Sequence, residues 1–213
     1  SPAALDMGLL NTAVPWSMAT MEYSSAMGVV LCAPTGGSAG VFPGAVLGTA
    51  NALNLPKDKK LELMLTTSVI GIVMSKDCNY SAELYGCQVE PGAASAMAAG
   101  ALVYLMGGSP KQSLDAASCA LQNILGTICD PVAGLVQVPC ISRNALSAAN
   151  AMVSANLIMG DVFGKPAIVT DTHCIRLTNR IGLVDGIKDP KKVEMALWKI
   201  IPLEAVSYTH LTL

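Results

Sequence analysis

Charge and aromatic rings are both scarce in this chain. Of its 213 residues, 13% are charged and 4% aromatic, although 52% are hydrophobic. The apolar content is therefore mostly Ala, Leu, Val, Ile and Met, a mixture that suits closely packed helices. The formal net charge of -2 gives no general attraction toward nucleic acid or anionic lipid, so neither is an expected partner. Few segments alternate as half-buried strands do, and the predicted fold is mainly α, with the chemistry carried on loops. A basic, apolar leader is missing, and the seven cysteines are an odd number. Both point to a reducing, cytoplasmic setting rather than a disulfide framework.

The uncharged stretch from Pro91 to Pro110 is long enough to span a bilayer. Its GAASAMAAGALVYLMGG run is dominated by Ala, Gly and Ser and has no basic cluster before it. A buried helix is expected there, and no membrane is expected as a partner. Further on, Lys57-Asp58-Lys59-Lys60 precede Leu61, Met64, Leu65, Ser68, Val69 and Ile72, which share one helical face. Ser109-Pro110-Lys111-Gln112 reads as an N-cap, a proline in the first turn and a capping-box Gln. Leu114, Ala117, Leu121 and Ile124 would give that helix its buried face, and Gly126 its stop. A third helix is predicted over 144–159.

Charge is unevenly spread. The first 160 residues contain 6 basic and 9 acidic side chains, whereas 161–203 contain 7 basic and 5 acidic, a threefold rise in charged fraction. A domain boundary is expected there, dividing 1–160 from a short helical fragment at 161–203 and a tail at 204–213. Within the fragment, Asp189 and Pro190 start a helix whose Val193, Ala196, Leu197 and Ile200 share a face.

Three thiols, Cys87, Cys129 and Cys140, lie in GCQVEPGAASAM and CDPVAGLVQVPCISRNA, beside Gly, Pro and single polar residues. Asp130-Pro131 and Val138-Pro139 suggest irregular backbone around the last two. Thiols placed this way suggest an iron-sulfur site in which one iron of a cubane lacks a protein ligand and acts as a Lewis acid. Cys32, Cys78, Cys119 and Cys174 are read instead as compact buried apolar residues. The run APTGGSAGVFPG, residues 33–44, lets backbone amides approach a ligand, and Thr35 and Ser38 add hydroxyls. It lacks the lysine and spacing of a nucleotide phosphate loop.

From about Met21 to about Gly160 these motifs resemble the alpha chain or alpha domain of the iron-sulfur-dependent L-serine dehydratases. APTGGSAGVFPG, GCQVEPGAASAMAAGAL and LGTICDPVAGLVQVPCISRNA carry the resemblance. It implies a helical domain, truncated at its C-terminal side, from an ammonia-lyase that converts L-serine to pyruvate and ammonia. It further implies a 4Fe-4S cluster on Cys87, Cys129 and Cys140, and a beta chain or beta domain as partner in an oligomer. The loop bearing Thr35, Gly36, Gly37 and Ser38 would hold substrate. Arg143 and Asn144, just after Cys140, are expected to contact substrate or cluster, and Glu90 to lie near it.

The segment FGKPAIVTDTHCIRLTNRIGLVDGIKDPKKVEMALWKIIP resembles instead the endonuclease III type of helix-hairpin-helix DNA glycosylases, with Asp171 at the catalytic aspartate. The hairpin, its catalytic lysine and the terminal four-cysteine cluster of that family are absent. A repair glycosylase and AP lyase fragment is therefore the alternative function. On this reading the chain is a chimera ending in an artefactual AVSYTHLTL. Val193, Leu197, Trp198 and Ile200 would then be left partly exposed for want of their original neighbours.

Overall fold

A computed structural model describes residues 5–127, 137–160 and 172–201. Every regular element among them is helical, with no strand. The chain divides into two compact units, Ser1–Met159 and Gly160–Leu213.

The first unit contains α1 (Leu10–Ser25), a 3-10 turn (Gly36–Ser38), and a π-helical turn (Pro43–Gly48) that runs into the short α2 (Thr49–Ala52). There follow α3 (Lys57–Met74), the short α4 (Ala82–Tyr85), α5 (Glu90–Leu105), α6 (Pro110–Ile124) and α7 (Gln137–Ile158). The glycine- and alanine-rich stretch forms α5, and all its residues from Pro91 to Val103 are buried. A helix that is apolar all round belongs in a core, and α3, α6 and α7 pack around this one. None of the described helices is long and apolar enough to cross a membrane. Against α1, the π-helical turn comes close because Gly44 has no side chain: a Cβ there would lie 2.6 Å from the Ala13 carbonyl oxygen.

The polar atoms between α5, α6 and α7 are paired, whereas Ser17 Oγ and Thr49 Oγ1, also buried in this unit, have no partner among the described residues. Ser95 Oγ donates to the Ser147 carbonyl at 2.9 Å and accepts from Asn150 Nδ2 at 2.8 Å. Asn150 Nδ2 also reaches the Ala120 carbonyl at 2.8 Å, while its Oδ1 accepts from Asn123 Nδ2 at 2.8 Å. α5, α6 and α7 are thus joined by amides and hydroxyls as well as by alanines. A buried polar group left unmatched costs about 1–3 kcal/mol, so this pairing fixes which faces meet.

The start of α6 follows its sequence. Ser109 Oγ accepts from the Gln112 N–H at 3.3 Å, the Gln112 side chain accepts from the Ser109 N–H at 2.8 Å, and Gly126 ends the segment at φ +91°. Its buried face holds Ala117 and Ile124 as expected, but Leu114 is half exposed, and Ser113, Ala116 and Ala120 complete the face instead. α3 differs more. Leu61, Met64, Leu65, Val69 and Ile72 are between 40% and 63% exposed, and the buried face is Leu63, Thr67, Ile70 and Gly71. α3 meets α5 where side chains are smallest, with Met97 pressed against Gly71 and Ile70 against Gly100. Close approach, not the broadest apolar stripe, orients the helix.

α7 begins at Gln137, seven residues before the expected helix start, and Cys140 is therefore helical rather than on irregular backbone. Pro139 is compatible with this because a first-turn N–H has no intrahelical acceptor.

The second unit contains α8 (Thr172–Arg180) and α9 (Pro190–Leu197). Asp189 caps α9 as its sequence indicates, accepting the Lys192 N–H at 3.0 Å. Val193 and Leu197 are fully buried, contrary to the expected exposure, because they close a small core with Val184 flanked by Cys174 and Ile175. Ile200 is half exposed. Asp171 lies outside the described residues.

Candidate active site

Cys87 sits in the turn before α5 and Cys140 in the first turns of α7, 53 residues apart in sequence. Their sulfurs are 3.8 Å apart and each residue is 1% exposed. Met21 and Ala39 share this buried pocket of structure, with Ile141 and Val30 packed on it. Ala39 brings in the glycine loop, which therefore lies directly against the thiols.

One side chain fastens the loop there. Asn144 is fully buried, its Oδ1 accepts the Gly40 N–H at 3.0 Å, and its Nδ2 donates to the carbonyls of Gly37 and Cys140, both at 2.8 Å. Both amide hydrogens and one oxygen lone pair are thus engaged within the protein. Ser38 is likewise buried, its Oγ 3.0 Å from Thr35 Oγ1 and 3.3 Å from the Thr35 carbonyl. Two of the expected substrate contacts therefore brace the loop from inside. Gly36 is exposed, Gly37 and Thr35 are half-buried, and the N–H groups of Gly36 and Gly37 have no acceptor among the described residues. Arg143 is half-buried in α7 next to Asn144.

A second fastening joins the thiol turn to the end of α6. The Gly126 N–H donates to Gln88 Oε1 at 2.9 Å, next to Cys87. Nothing in the sequence marks Gln88, because its partner lies 38 residues away. Cys129 lies outside the described residues.

Beside the loop a cleft of about 680 Å³ is lined by Thr35, Cys78, Asn79, Tyr80, Ser81, Ala82 and Glu90. Tyr80 donates its hydroxyl to the Gly71 carbonyl at 2.7 Å. Burial, with a smaller contribution from Cys78, raises its phenol above the usual range. Glu90 opens α5, and its carboxylate lies where a Cβ on Gly37 would be, so a side chain at 37 would displace that carboxylate.

The other thiols stand apart in kind. Cys32 and Cys78 are exposed and Cys119 and Cys174 half-buried, so none is the buried filler expected. Among the described residues no group of three or more His, Cys, Asp or Glu side chains could hold a metal ion. The donor chemistry of the buried pair nevertheless fits an iron-sulfur cluster: neighbouring thiols shielded from water are the ligand type such clusters take.

Residues 2–187 match the family model described as serine dehydratase alpha chain. The chain belongs to that family. It is 41% identical over 162 residues to a probable L-serine dehydratase alpha chain of Bacillus subtilis, covering 76% of this chain and 54% of that one. Identity is 40% over 157 residues to a probable L-serine dehydratase alpha chain of Latilactobacillus sakei, covering 74% and 75%. With an L-serine dehydratase alpha chain of Peptoniphilus asaccharolyticus it is 41% over 153 residues, covering 72% and 52%. The chain thus spans about half the length of the first and third of these alpha chains.

The family match crosses Asp161, takes in α8 and ends at residue 187, and lends no support to the expected change of family at 161. Nothing in these comparisons supports a glycosylase origin for 161–203 or a foreign origin for 204–213.

Proposed function

We propose that this chain carries the thiol ligands and the substrate loop of an L-serine ammonia-lyase, which converts L-serine to pyruvate and ammonia. The observation that carries the proposal is the junction made by Asn144. One buried amide ties the backbone of Cys140 to Gly37 and Gly40, and so holds the glycine loop against a pair of buried thiols. Membership in the serine dehydratase alpha chain family supports it.

The reaction removes the α-proton and the β-hydroxyl of serine, giving water and an enamine. The enamine tautomerises to an imine, which water hydrolyses to pyruvate and ammonia. Cys87, Cys129 and Cys140 would hold a 4Fe-4S cluster, which supplies a Lewis acid for the departing hydroxide at an iron without a protein ligand. The N–H groups of Gly36 and Gly37 are available to the substrate carboxylate, with Thr35 beside them. Holding the carboxylate fixes where the β-carbon lies relative to the thiols, which is the positioning an elimination needs. Asn144 and Ser38 act on the loop as positioning residues, and Arg143, next to Asn144, is assigned to the same substrate end. A beta chain or beta domain completes the enzyme as partner, in a cytoplasmic setting where thiols stay reduced.

Anaerobic reconstitution with iron and sulfide tests the ligand assignment. The wild-type chain is expected to take up a cluster whose visible absorbance changes when L-serine is added. Cys140→Ser should lose most of the iron, and Thr35→Ala should keep the iron but weaken the response to serine. Full iron retention by Cys140→Ser would rule out this ligand set.

A further inference from the structure

We infer that Glu90 is the subsite for the α-ammonium group of the amino-acid substrate, an inference that rests on the ammonia-lyase reading. Glu90 is half-buried at the start of α5, and its carboxylate has no hydrogen bond or ion pair among the described residues. Of the described residues lining the cleft beside the loop, it is the only acidic or basic one. A carboxylate partly removed from water without a partner is costly, and a cation is the ligand that would satisfy it.

The neighbours specify which cation. The carboxylate abuts Gly37, and the N–H groups of Gly36 and Gly37 lack acceptors. Anion acceptor and cation acceptor therefore stand side by side, the pattern that an α-amino acid zwitterion presents in reverse. A simple metal cation would use Glu90 and leave the two N–H groups idle. A simple carboxylate would use the N–H groups and be repelled by Glu90. Glu90 also follows Cys87 by three residues, where the turn that carries the thiol runs into α5. The cleft adds neutral polar groups from Thr35, Asn79 and Ser81.

A carboxylate in the first turn of a helix is also favoured by the helix dipole. That role alone would make Glu90 indifferent to the charge of a ligand, and two ligands separate the cases. L-serine and 3-hydroxypropionate share the carboxylate and the β-hydroxyl, but only serine has the ammonium. Equilibrium dialysis of both against the full chain, reconstituted anaerobically, is expected to show wild type preferring serine. In Glu90→Gln the Kd for serine should rise about tenfold to a hundredfold, the range for a hydrogen bond to a charged group, while that for 3-hydroxypropionate should not rise and should fall as the repulsion is removed. If the Gln variant does not fold, Glu90→Asp, which keeps the charge on a shorter arm, should show a smaller loss confined to serine. An unchanged serine Kd, or equal weakening of both ligands, overturns the subsite and leaves the ammonia-lyase reading in place. Failure of wild type to bind either compound overturns both.

Discussion

In Ser1–Met159 the largest buried cluster among the described residues contains 18 side chains, and 12 of them are alanine. Among the described residues of Gly160–Leu213 the buried core consists of Val184, Val193 and Leu197. An alanine removes little apolar surface from water, so the first core gains its stability from many helix-to-helix contacts at short range, where an unmatched polar atom is costly and most are paired. Asn144 and Asn150 do that matching. The second core depends on a few larger side chains, each of which accounts for a sizeable share of the buried surface. The sensitive residues of the first unit are accordingly amides and glycines, and those of the second are aliphatic.

The sharpest way to break that contrast is Asn144→Ala. It leaves the Gly40 N–H and the carbonyls of Gly37 and Cys140 without partners. A destabilisation of about 4 kcal/mol is expected from three such groups, read by denaturant unfolding with a probe in α7. A loss below about 1 kcal/mol would mean that the loop is held by something else.

Leu197→Ala comes next. Truncating a fully buried leucine costs about 3 kcal/mol, and in so small a core this should abolish the hydrogen-exchange protection of the α8 and α9 amides. Protection that survives would show that the second unit depends on more than these three residues.

Tyr80→Phe should have the smallest effect, about 1 kcal/mol for one hydrogen bond to Gly71. Its pH dependence has a definite sign. Burial raises the phenol's folded pKa above that in the unfolded chain, so the folded state holds the proton more tightly. The stability from this group is complete below the ordinary phenol value of about 10 and is lost as pH rises through the higher folded value. The difference between the ultraviolet titrations of wild type and Tyr80→Phe should accordingly lie above pH 10. A difference centred below that would contradict the assignment.

What could be read from the sequence was local. The capping box at Ser109, the Asp189 cap, the turn at Cys87 and the buried course of α5 all depend on residues within a few positions of each other. The outward turn of α3 could not be read that way, since an apolar stripe does not say which neighbour will cover it, and small residues on α5 made that choice. The helical setting of Cys140 was hidden by Pro139, which breaks a helix interior but not a first turn. Burial of Val193 and Leu197 depended on α8, a neighbour that is amphipathic but short. At the candidate site the loop and the thiols were visible as motifs. The roles of Asn144 and Gln88 were not, because their partners are distant in the chain.

The bonds from Asn144 to Gly37 and Gly40 span 107 and 104 residues. Pairings at such separation are the slow part of folding, because loop closure must precede any gain from contact. During synthesis at about 5–20 residues per second, the glycine loop leaves the ribosome on the order of ten seconds before the residue that shapes it. The glycine loop is therefore among the last parts of the unit to acquire its form. A nascent chain halted before α7 would carry the loop's complete sequence without its geometry.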